Sequence, residues 1–147
     1  MKLICFFSGR YAYAAWQDNF IASEPSIALL ELSGIVLAVA TWADKLRKKS
    51  ITVHSDNQAA VAIVNSFTSG CKRCMTLVRI LVEVLMKFDI KLKALYVPGI
   101  NNELADSLSR LKIDLFFKQA KQQGFAELHR DQFPDWLWPI YPNMLNS

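Results

Sequence analysis

The sequence is poor in cysteine and in long apolar runs, and each shortage excludes a class of protein. Three cysteines, Cys5, Cys71 and Cys74, are too few and odd in number to form a disulfide framework. The first apolar run is interrupted at Ser8-Gly9-Arg10, well short of a signal peptide's apolar core. No other apolar run approaches the length of a membrane span, and there is no internal repeat or low-complexity segment. We therefore expect an intracellular protein, in the cytoplasm or nucleus, with reduced thiols.

The composition is that of one domain with a substantial apolar core. The chain has 147 residues, 52% of them hydrophobic, so it is long enough to fold without cross-links. Seventeen lysines and arginines against thirteen acidic residues give a net charge of +4, which permits a polyanionic partner without requiring one. The basic residues form three clusters, and a solvated surface is the alternative interpretation of each. The clusters are Lys45, Arg47, Lys48 and Lys49; Lys72 and Arg73; and Lys87, Lys91 and Lys93.

Cys71 and Cys74 form a single Cys-x-x-Cys motif. This spacing occurs in zinc sites and in redox sites, but such sites usually have a second cysteine pair or a nearby histidine. Since neither is present, reduced thiols are the simpler interpretation.

Apolar periodicity and turn residues predict alternating strands and helices. Residues 3–7 and 11–16 read as a β-hairpin, and residues 20–22 could add a third strand. Ser23-Glu24-Pro25-Ser26 is typical of a helix start, and the apolar pattern after it continues to about Lys48. Strands at 51–56 and 91–97, with helices at 58–67, 75–88 and 103–121, complete the pattern. This order predicts an α/β fold.

Two acidic residues in this pattern are candidates for a functional site. Asp56 ends a strand, and ligands of open α/β sheets collect at the carboxyl ends of strands. Helix capping is the alternative, because Asp and Asn are favoured N-cap residues. Glu31 lies in a helix that is apolar nearly all round, where a buried carboxylate must be paired, protonated, metal-bound or facing a cleft. Exposure on a narrow polar edge of the helix is the alternative for Glu31.

Several short motifs occur in a fixed order along the chain. They are Leu30-Glu31-Leu32, Ser55-Asp56-Asn57 with Ala59 and Val61, the set Met75, Leu77, Arg79 and Leu81, then Val97-Pro98-Gly99, Asn102 and Ala105-Asp106-Ser107-Leu108-Ser109-Arg110. Together they resemble the ribonuclease H domains of retroelement reverse transcriptase polyproteins, especially those of DIRS-like elements. The resemblance implies a ribonuclease H-like fold over residues 1–123, whose mixed sheet has an antiparallel N-terminal meander, then parallel strands, and flanking helices.

The resemblance also implies an endoribonuclease that cuts the RNA strand of RNA/DNA hybrids. In that family, four acidic residues hold two Mg²⁺ ions, for which Mn²⁺ can substitute, and the ions activate the attacking water. Glu31, Asp56 and Asp106 match three of the acidic positions, as catalytic residues and metal ligands. The corresponding candidates for contacts with nucleic acid are Asn57, Lys72, Arg73, Arg79, Asn102 and Arg110.

The fourth acidic position departs from the family pattern. The family's first strand carries an Asp in the stretch that matches Cys5-Phe6-Phe7-Ser8-Gly9-Arg10, and Phe6 takes that position here. Phenylalanine cannot ligate a metal, and even the loss of an outer partner costs roughly ten- to a hundredfold in metal affinity or activity. We therefore expect hydrolysis to be weak or absent. Tyr96, where the family usually has a histidine, is a smaller departure, since Tyr can still stack or donate a hydrogen bond.

Residues 124–147 are rich in aromatic residues and proline, which predicts an extended C-terminal tail. The tail could pack on the domain, or on a polymerase or recombinase domain of a parent polyprotein, which would give the chain a structural role. A polymerase normally precedes this domain, so the chain resembles a fragment or decayed copy from a retroelement. A further alternative is a nucleic-acid-binding module without catalysis, in which the basic residues contact phosphates.

Overall fold

Strands and helices alternate in the order that the sequence pattern predicts. A computed structural model of the chain describes residues 2–7, 10–15, 26–98 and 129–134. The strands are β1 (Lys2–Phe7), β2 (Arg10–Ala15), β3 (Ser50–Ser55), β4 (Lys91–Tyr96) and β5 (His129–Arg130). The helices are α1 (Ile27–Thr41), α2 (Ala43–Leu46), α3 (Gln58–Ser66) and α4 (Lys72–Lys87). The α/β class is therefore confirmed, whereas the strand predicted at 20–22 and the helix predicted at 103–121 lie outside the described residues.

The described strands form two sheets, whereas a single mixed sheet was predicted for the chain. β1 and β2 are an antiparallel hairpin in which Lys2 pairs with Ala15 and Phe7 with Arg10. β3 and β4 pair in parallel, with Ser50 beside Lys91 and Ser55 beside Tyr96. Both local pairings agree with the prediction, but no ladder joins the two sheets among the described strands. The pattern of residues within a strand predicts that the strand exists. It does not predict which strands pair edge to edge, because this pairing depends on where the strands lie in the tertiary structure.

Helix α1 is shorter than predicted at both ends. Its N-cap is Ser26, whose Oγ accepts a hydrogen bond from the Leu29 N–H at 3.1 Å, so the helix begins after the predicted capping segment. It ends at Thr41, where Trp42 is the C-cap, and α2 follows as a separate single turn. Glu31 is consequently in the first turn and a half of α1.

The core lies where α1 packs against α4 and β1. The largest fully buried side chains are Leu29, Leu32, Val36, Leu37, Val39, Val64, Leu77 and Leu81. Full burial of such a side chain stabilises the fold by roughly 1.5–3 kcal/mol, so α1 is held firmly on both sides. None of the helices in the described segments is long and apolar enough to cross a membrane.

Residues 129–134, which belong to the predicted tail, pack on the rest of the fold. β5 pairs in parallel with β2, placing His129 beside Arg10 and Arg130 beside Tyr11. Asp131 then receives a 2.7 Å hydrogen bond from the Trp42 indole N–H and a salt bridge from Arg10 at 3.0 Å. Phe133 is buried in the core. This short segment was not recognisable in the sequence, because two residues are too few to show a periodic pattern.

Candidate active site

Asp56 lies immediately beyond β3, at the carboxyl end of the parallel strand pair. Its side chain is exposed, and the helix that follows is capped by its neighbour. The Asn57 side-chain oxygen accepts a 2.9 Å hydrogen bond from the Ala60 N–H and is the N-cap of α3. The capping alternative therefore applies to Asn57, and the Asp56 carboxylate is left for another role.

Glu31 reaches the same end of β3 from α1. Its Oε2 lies 3.5 Å from the Ser55 hydroxyl, which is at the limit of a hydrogen bond. Ser55 is buried, and its Oγ also accepts a 3.2 Å hydrogen bond from the Asn57 N–H. Because that backbone N–H occupies one lone pair of the Ser55 oxygen, the hydroxyl hydrogen is free to point toward Glu31. Glu31 is half-buried, so neither full burial nor the exposed polar edge describes its position.

The electrostatics of this corner disfavour a charged Glu31. Burial is the main cause that raises the pKa of Glu31, and the negative charge of Asp56 raises it further. The hydrogen bond from Ser55 acts in the opposite direction and only partly offsets them. Within the described segments, neither Glu31 nor Asp56 has a salt-bridge partner. The two carboxylates therefore repel each other at the end of β3, and no cation of the described residues forms a salt bridge with either.

The third predicted ligand is not placed by the structure. Asp106, together with Asn102 and Arg110, lies outside the described residues. Among the residues that are described, no group of three or more His, Cys, Asp or Glu side chains could hold a metal ion. The three-carboxylate site thus stays a prediction, of which the structure brings two members together.

The position occupied by Phe6 is in the strand that packs on the helix of Glu31. Phe6 is in β1, where it pairs with Tyr11 of β2, and β1 contacts α1. The strand expected to carry the missing acidic residue is therefore a neighbour of the Glu31 helix.

Of the three basic candidates on α4, two line a groove and the third does not. Lys72 and Arg79, seven residues apart on α4, share a face of the helix and line an open groove with Thr76. Arg73 is not among the residues that line it. The groove adjoins the loop after α3, whereas Asp56 precedes α3, so the length of that helix, roughly 14 Å, separates the groove from Asp56.

Two arrangements were missed by reading the sequence. The role of Ser55 as the bridge between Glu31 and the Asn57 backbone requires a contact between α1 and β3 that no local pattern encodes. The first and third basic clusters, read as separate, come together because the Lys48 N–H donates to the Phe88 carbonyl at 3.0 Å and the Lys91 N–H to the Lys49 carbonyl at 3.0 Å.

Comparison of the chain with protein-family models, curated proteins and solved structures finds no match.

Proposed function

We propose that the chain is a ribonuclease H-type domain of retroelement origin that binds RNA/DNA hybrids and hydrolyses them weakly or not at all. The observation that supports this proposal is the meeting of Glu31 and Asp56 at the carboxyl end of β3, where the Ser55 hydroxyl donates to Glu31. A half-buried carboxylate beside a second carboxylate is costly without a cation, and such sites are candidates for function.

The oxygen ligands at this corner suit a hard divalent cation. Glu31 and Asp56 would hold Mg²⁺ or Mn²⁺, with Asp106 as the third ligand, and the ion would neutralise the repulsion that raises the pKa of Glu31. When bound, such ions activate water and stabilise the leaving oxygen of a phosphodiester. The chain's own contribution is to orient Glu31, which Ser55 does through its hydroxyl. The expected loss of activity follows from Phe6, which supplies no ligand.

The test separates metal binding from hydrolysis. Binding of Mn²⁺ is measured by electron paramagnetic resonance, and cleavage is measured on a labelled RNA/DNA hybrid in Mg²⁺ or Mn²⁺. We expect Mn²⁺ to bind and Asp56→Asn or Glu31→Gln to weaken it, while Glu83→Gln, an exposed acid on α4, serves as the control. Equal Mn²⁺ affinity in all four proteins would remove the basis of the proposal. Rapid cleavage that Asp56→Asn abolishes would contradict the impaired activity.

A nucleic-acid-binding module without catalysis is the second candidate, and the joined basic clusters favour it. We call these residues the basic end: Lys45, Arg47, Lys48, Lys49, Lys87, Lys91 and Lys93, all of them exposed. The acidic residues in the same stretches, 44–49 and 87–93, are Asp44, which pairs with Arg47 at 3.4 Å, and Asp89. Arg47 and Lys87 also lie over the Phe88 ring, at 4.8 and 5.6 Å from its centroid. Such a density of cations suits a phosphate backbone.

Salt dependence tests this second candidate. Affinity for a hybrid should fall as salt rises, and each lost phosphate contact should reduce the slope of log affinity against log salt by about 1. We expect Lys48→Gln with Lys49→Gln to reduce the slope if the basic end binds, and Lys72→Gln with Arg79→Gln to reduce it if the groove binds. Undetectable binding at low salt would exclude both surfaces.

A further inference from the structure

We propose that Cys71 and Cys74 are a redox-active dithiol, which a small anionic disulfide such as oxidised glutathione converts to an intramolecular disulfide. Cys71 is the N-cap of α4 and Cys74 lies three residues later, in the first turn. Residues so placed have Cα atoms roughly 5 Å apart, within the range that a disulfide spans without movement of the backbone. The proposed nuclease and binding functions use neither thiol.

The two thiols lie within the first turn of α4 and differ in access. Cys71 is exposed, whereas Cys74 is 2% exposed. One thiol can therefore meet a reagent in solution, while the other can reach only its partner. This division between an attacking and a resolving thiol is what an intramolecular thiol–disulfide exchange requires.

The surroundings of Cys71 favour its thiolate. The backbone N–H of Cys74 is the main cause that lowers the pKa of Cys71. Slight burial opposes this effect, whereas the Cys74 thiol, the Arg73 N–H and the Arg73 charge lower the pKa further. The Cys71 side chain makes no cap hydrogen bond of ordinary geometry, so these N–H groups act as dipoles at the start of the helix. A 3.2 Å hydrogen bond from the Cys71 N–H to the Ser69 hydroxyl holds the capping residue in place.

The Cys74 thiol stays protonated until its partner has reacted. Burial is the largest cause that raises its pKa to about 11, followed by the hydrogen bond that it donates to the Cys71 sulfur and by the Cys71 charge. The last two disappear once the Cys71 sulfur is bonded to another sulfur. The Cys74 thiol then becomes easier to ionise at the moment when it has to attack.

The reaction balances with one equivalent of the small disulfide, RSSR. The Cys71 thiolate attacks one sulfur of RSSR, a Cys71–SR bond forms, the S–S bond of RSSR breaks, and RS⁻ leaves and takes a proton. Cys74 loses its proton and attacks the Cys71 sulfur, so that the Cys71–Cys74 bond forms and the second RS⁻ leaves and is protonated. Two electrons pass from the protein to RSSR, which ends as two RSH.

The groove beside Cys71 is suited to an anionic disulfide. Lys72 and Arg79 line it together with Cys71, and they would attract the carboxylates of glutathione. Gly70 leaves open space next to Cys71, since a methyl group added at Gly70 would meet no atom within 4 Å. The exposed sulfur therefore opens onto a cationic surface with room for a small molecule.

The test uses the full chain carrying Cys5→Ser, equilibrated with reduced and oxidised glutathione, then alkylated and analysed by mass spectrometry. We expect a product two hydrogen atoms lighter, with neither Cys71 nor Cys74 alkylated. With Cys74→Ser, one glutathione should remain on Cys71; with Cys71→Ser, Cys74 should stay unmodified. If both thiols are alkylated at every ratio, or if the product is a dimer linked through Cys71, the proposal fails.

A second measurement needs no substitution in the core. The rate of iodoacetamide alkylation of Cys71 in the reduced protein is followed against pH, with an unstructured cysteine peptide as reference. We expect Cys71 to react about threefold or more faster than the peptide at pH 7, with its midpoint at lower pH. A Cys71 midpoint at or above that of the peptide would overturn the proposal.

Discussion

The side chain of Asn65 makes two hydrogen bonds to a single residue of β4, Ala94. Its Nδ2 donates to the Ala94 carbonyl at 2.9 Å, and its Oδ1 accepts from the Ala94 N–H at 2.8 Å. Both Ala94 groups point away from β3, so the amide of Asn65 takes the place that another strand would occupy. Helix α3 thereby covers part of the edge of β4, which would otherwise present unpaired backbone groups at Ala94 among the described strands.

We expect Asn65→Ala to lower the free energy of unfolding by about 1–3 kcal/mol, since two backbone groups of Ala94, a buried residue, lose their partner. Urea denaturation measures the change. Asn65→Asp is the informative comparison, because its carboxylate can still accept from the Ala94 N–H but cannot donate to the carbonyl. Ser66→Ala, an exposed neighbour that bonds only within its own helix and turn, should have little effect. Equal stability of Asn65→Ala and the parent would contradict a role in holding β4.

Asp131 should hold residues 129–134 on the fold through Arg10 and Trp42. We expect Asp131→Asn to cost about 1–3 kcal/mol of stability at pH 7, as for the loss of a charged hydrogen-bond acceptor. Asp44→Asn is the control, because the Asp44–Arg47 pair is exposed and such pairs contribute about 0–1 kcal/mol. A cost no larger than that of the control would show that this contact does not hold the segment.

The Asp131 effect should depend on pH in a defined direction. Burial would raise the pKa of Asp131, but the hydrogen bonds from Trp42 and Arg10 and the charges of Arg10 and Lys45 outweigh it and lower the pKa below 3.8. A lowered pKa means that the stabilisation is present above pH 3.8 and is lost as the pH falls through the folded value. The difference between parent and Asp131→Asn should therefore shrink in acid. A difference that is constant with pH would contradict ionisation of Asp131 as its origin.

Glu31 should reduce stability near neutral pH in the absence of divalent cations. Because its pKa is raised, its contribution is favourable below the unfolded value of 4.5 and is lost as the pH rises through the folded value. We expect Glu31→Gln to melt at a higher temperature than the parent at pH 7 and at nearly the same temperature in acid. Mg²⁺ should raise the melting temperature of the parent more than that of the variant. Glu83→Gln, which alters an exposed acid, should show neither effect.

Restoring an acidic residue in β1 should restore hydrolysis if the active-site proposal is right. We expect Phe6→Asp to raise the cleavage of an RNA/DNA hybrid by at least about tenfold in Mg²⁺ or Mn²⁺. Phe7→Asp places the same carboxylate one residue later in β1 and should not raise it. Circular dichroism establishes that both variants fold. A folded Phe6→Asp protein without a gain in cleavage or in Mn²⁺ affinity would argue against the position assigned to Phe6.

The sequence predicted the local elements well because their signals are local. Alternation and apolar periodicity located β3, β4 and α3 to within about one residue at most ends, whereas α4 begins at Lys72, three residues before its predicted start at Met75. Trp42 ends α1 within a continuous apolar pattern, and its indole bonds to Asp131, which is 89 residues away in the chain. No window of sequence contains both partners, so that break could not be predicted.

The sequence singled out Glu31 and Asp56 as candidates, but it did not predict how they are linked, and Asp106 lies outside the described residues. The position of Asp56 after a strand and of Glu31 in an apolar helix identified both acids, and the structure brings them to one corner. The sequence could not decide which of Asp56 and Asn57 caps α3, because both residue types are favoured caps. In the structure the Asn57 side chain accepts from the Ala60 N–H and is the cap. The asymmetry of Cys71 and Cys74 likewise depends on burial, which their spacing does not reveal.

The backbone hydrogen bonds that join Lys48 to Phe88 and Lys49 to Lys91 have a consequence for approach from solution. They collect the basic end at the start of β3, whereas Glu31 and Asp56 lie at its other end, roughly 20 Å away. The charges of the basic end and of the carboxylate pair are therefore separated along β3. The field of a polyanion would therefore turn the basic end toward the polyanion and the carboxylate pair away from it. A metal ion bound by the carboxylate pair would add positive charge at that end and so oppose this orientation.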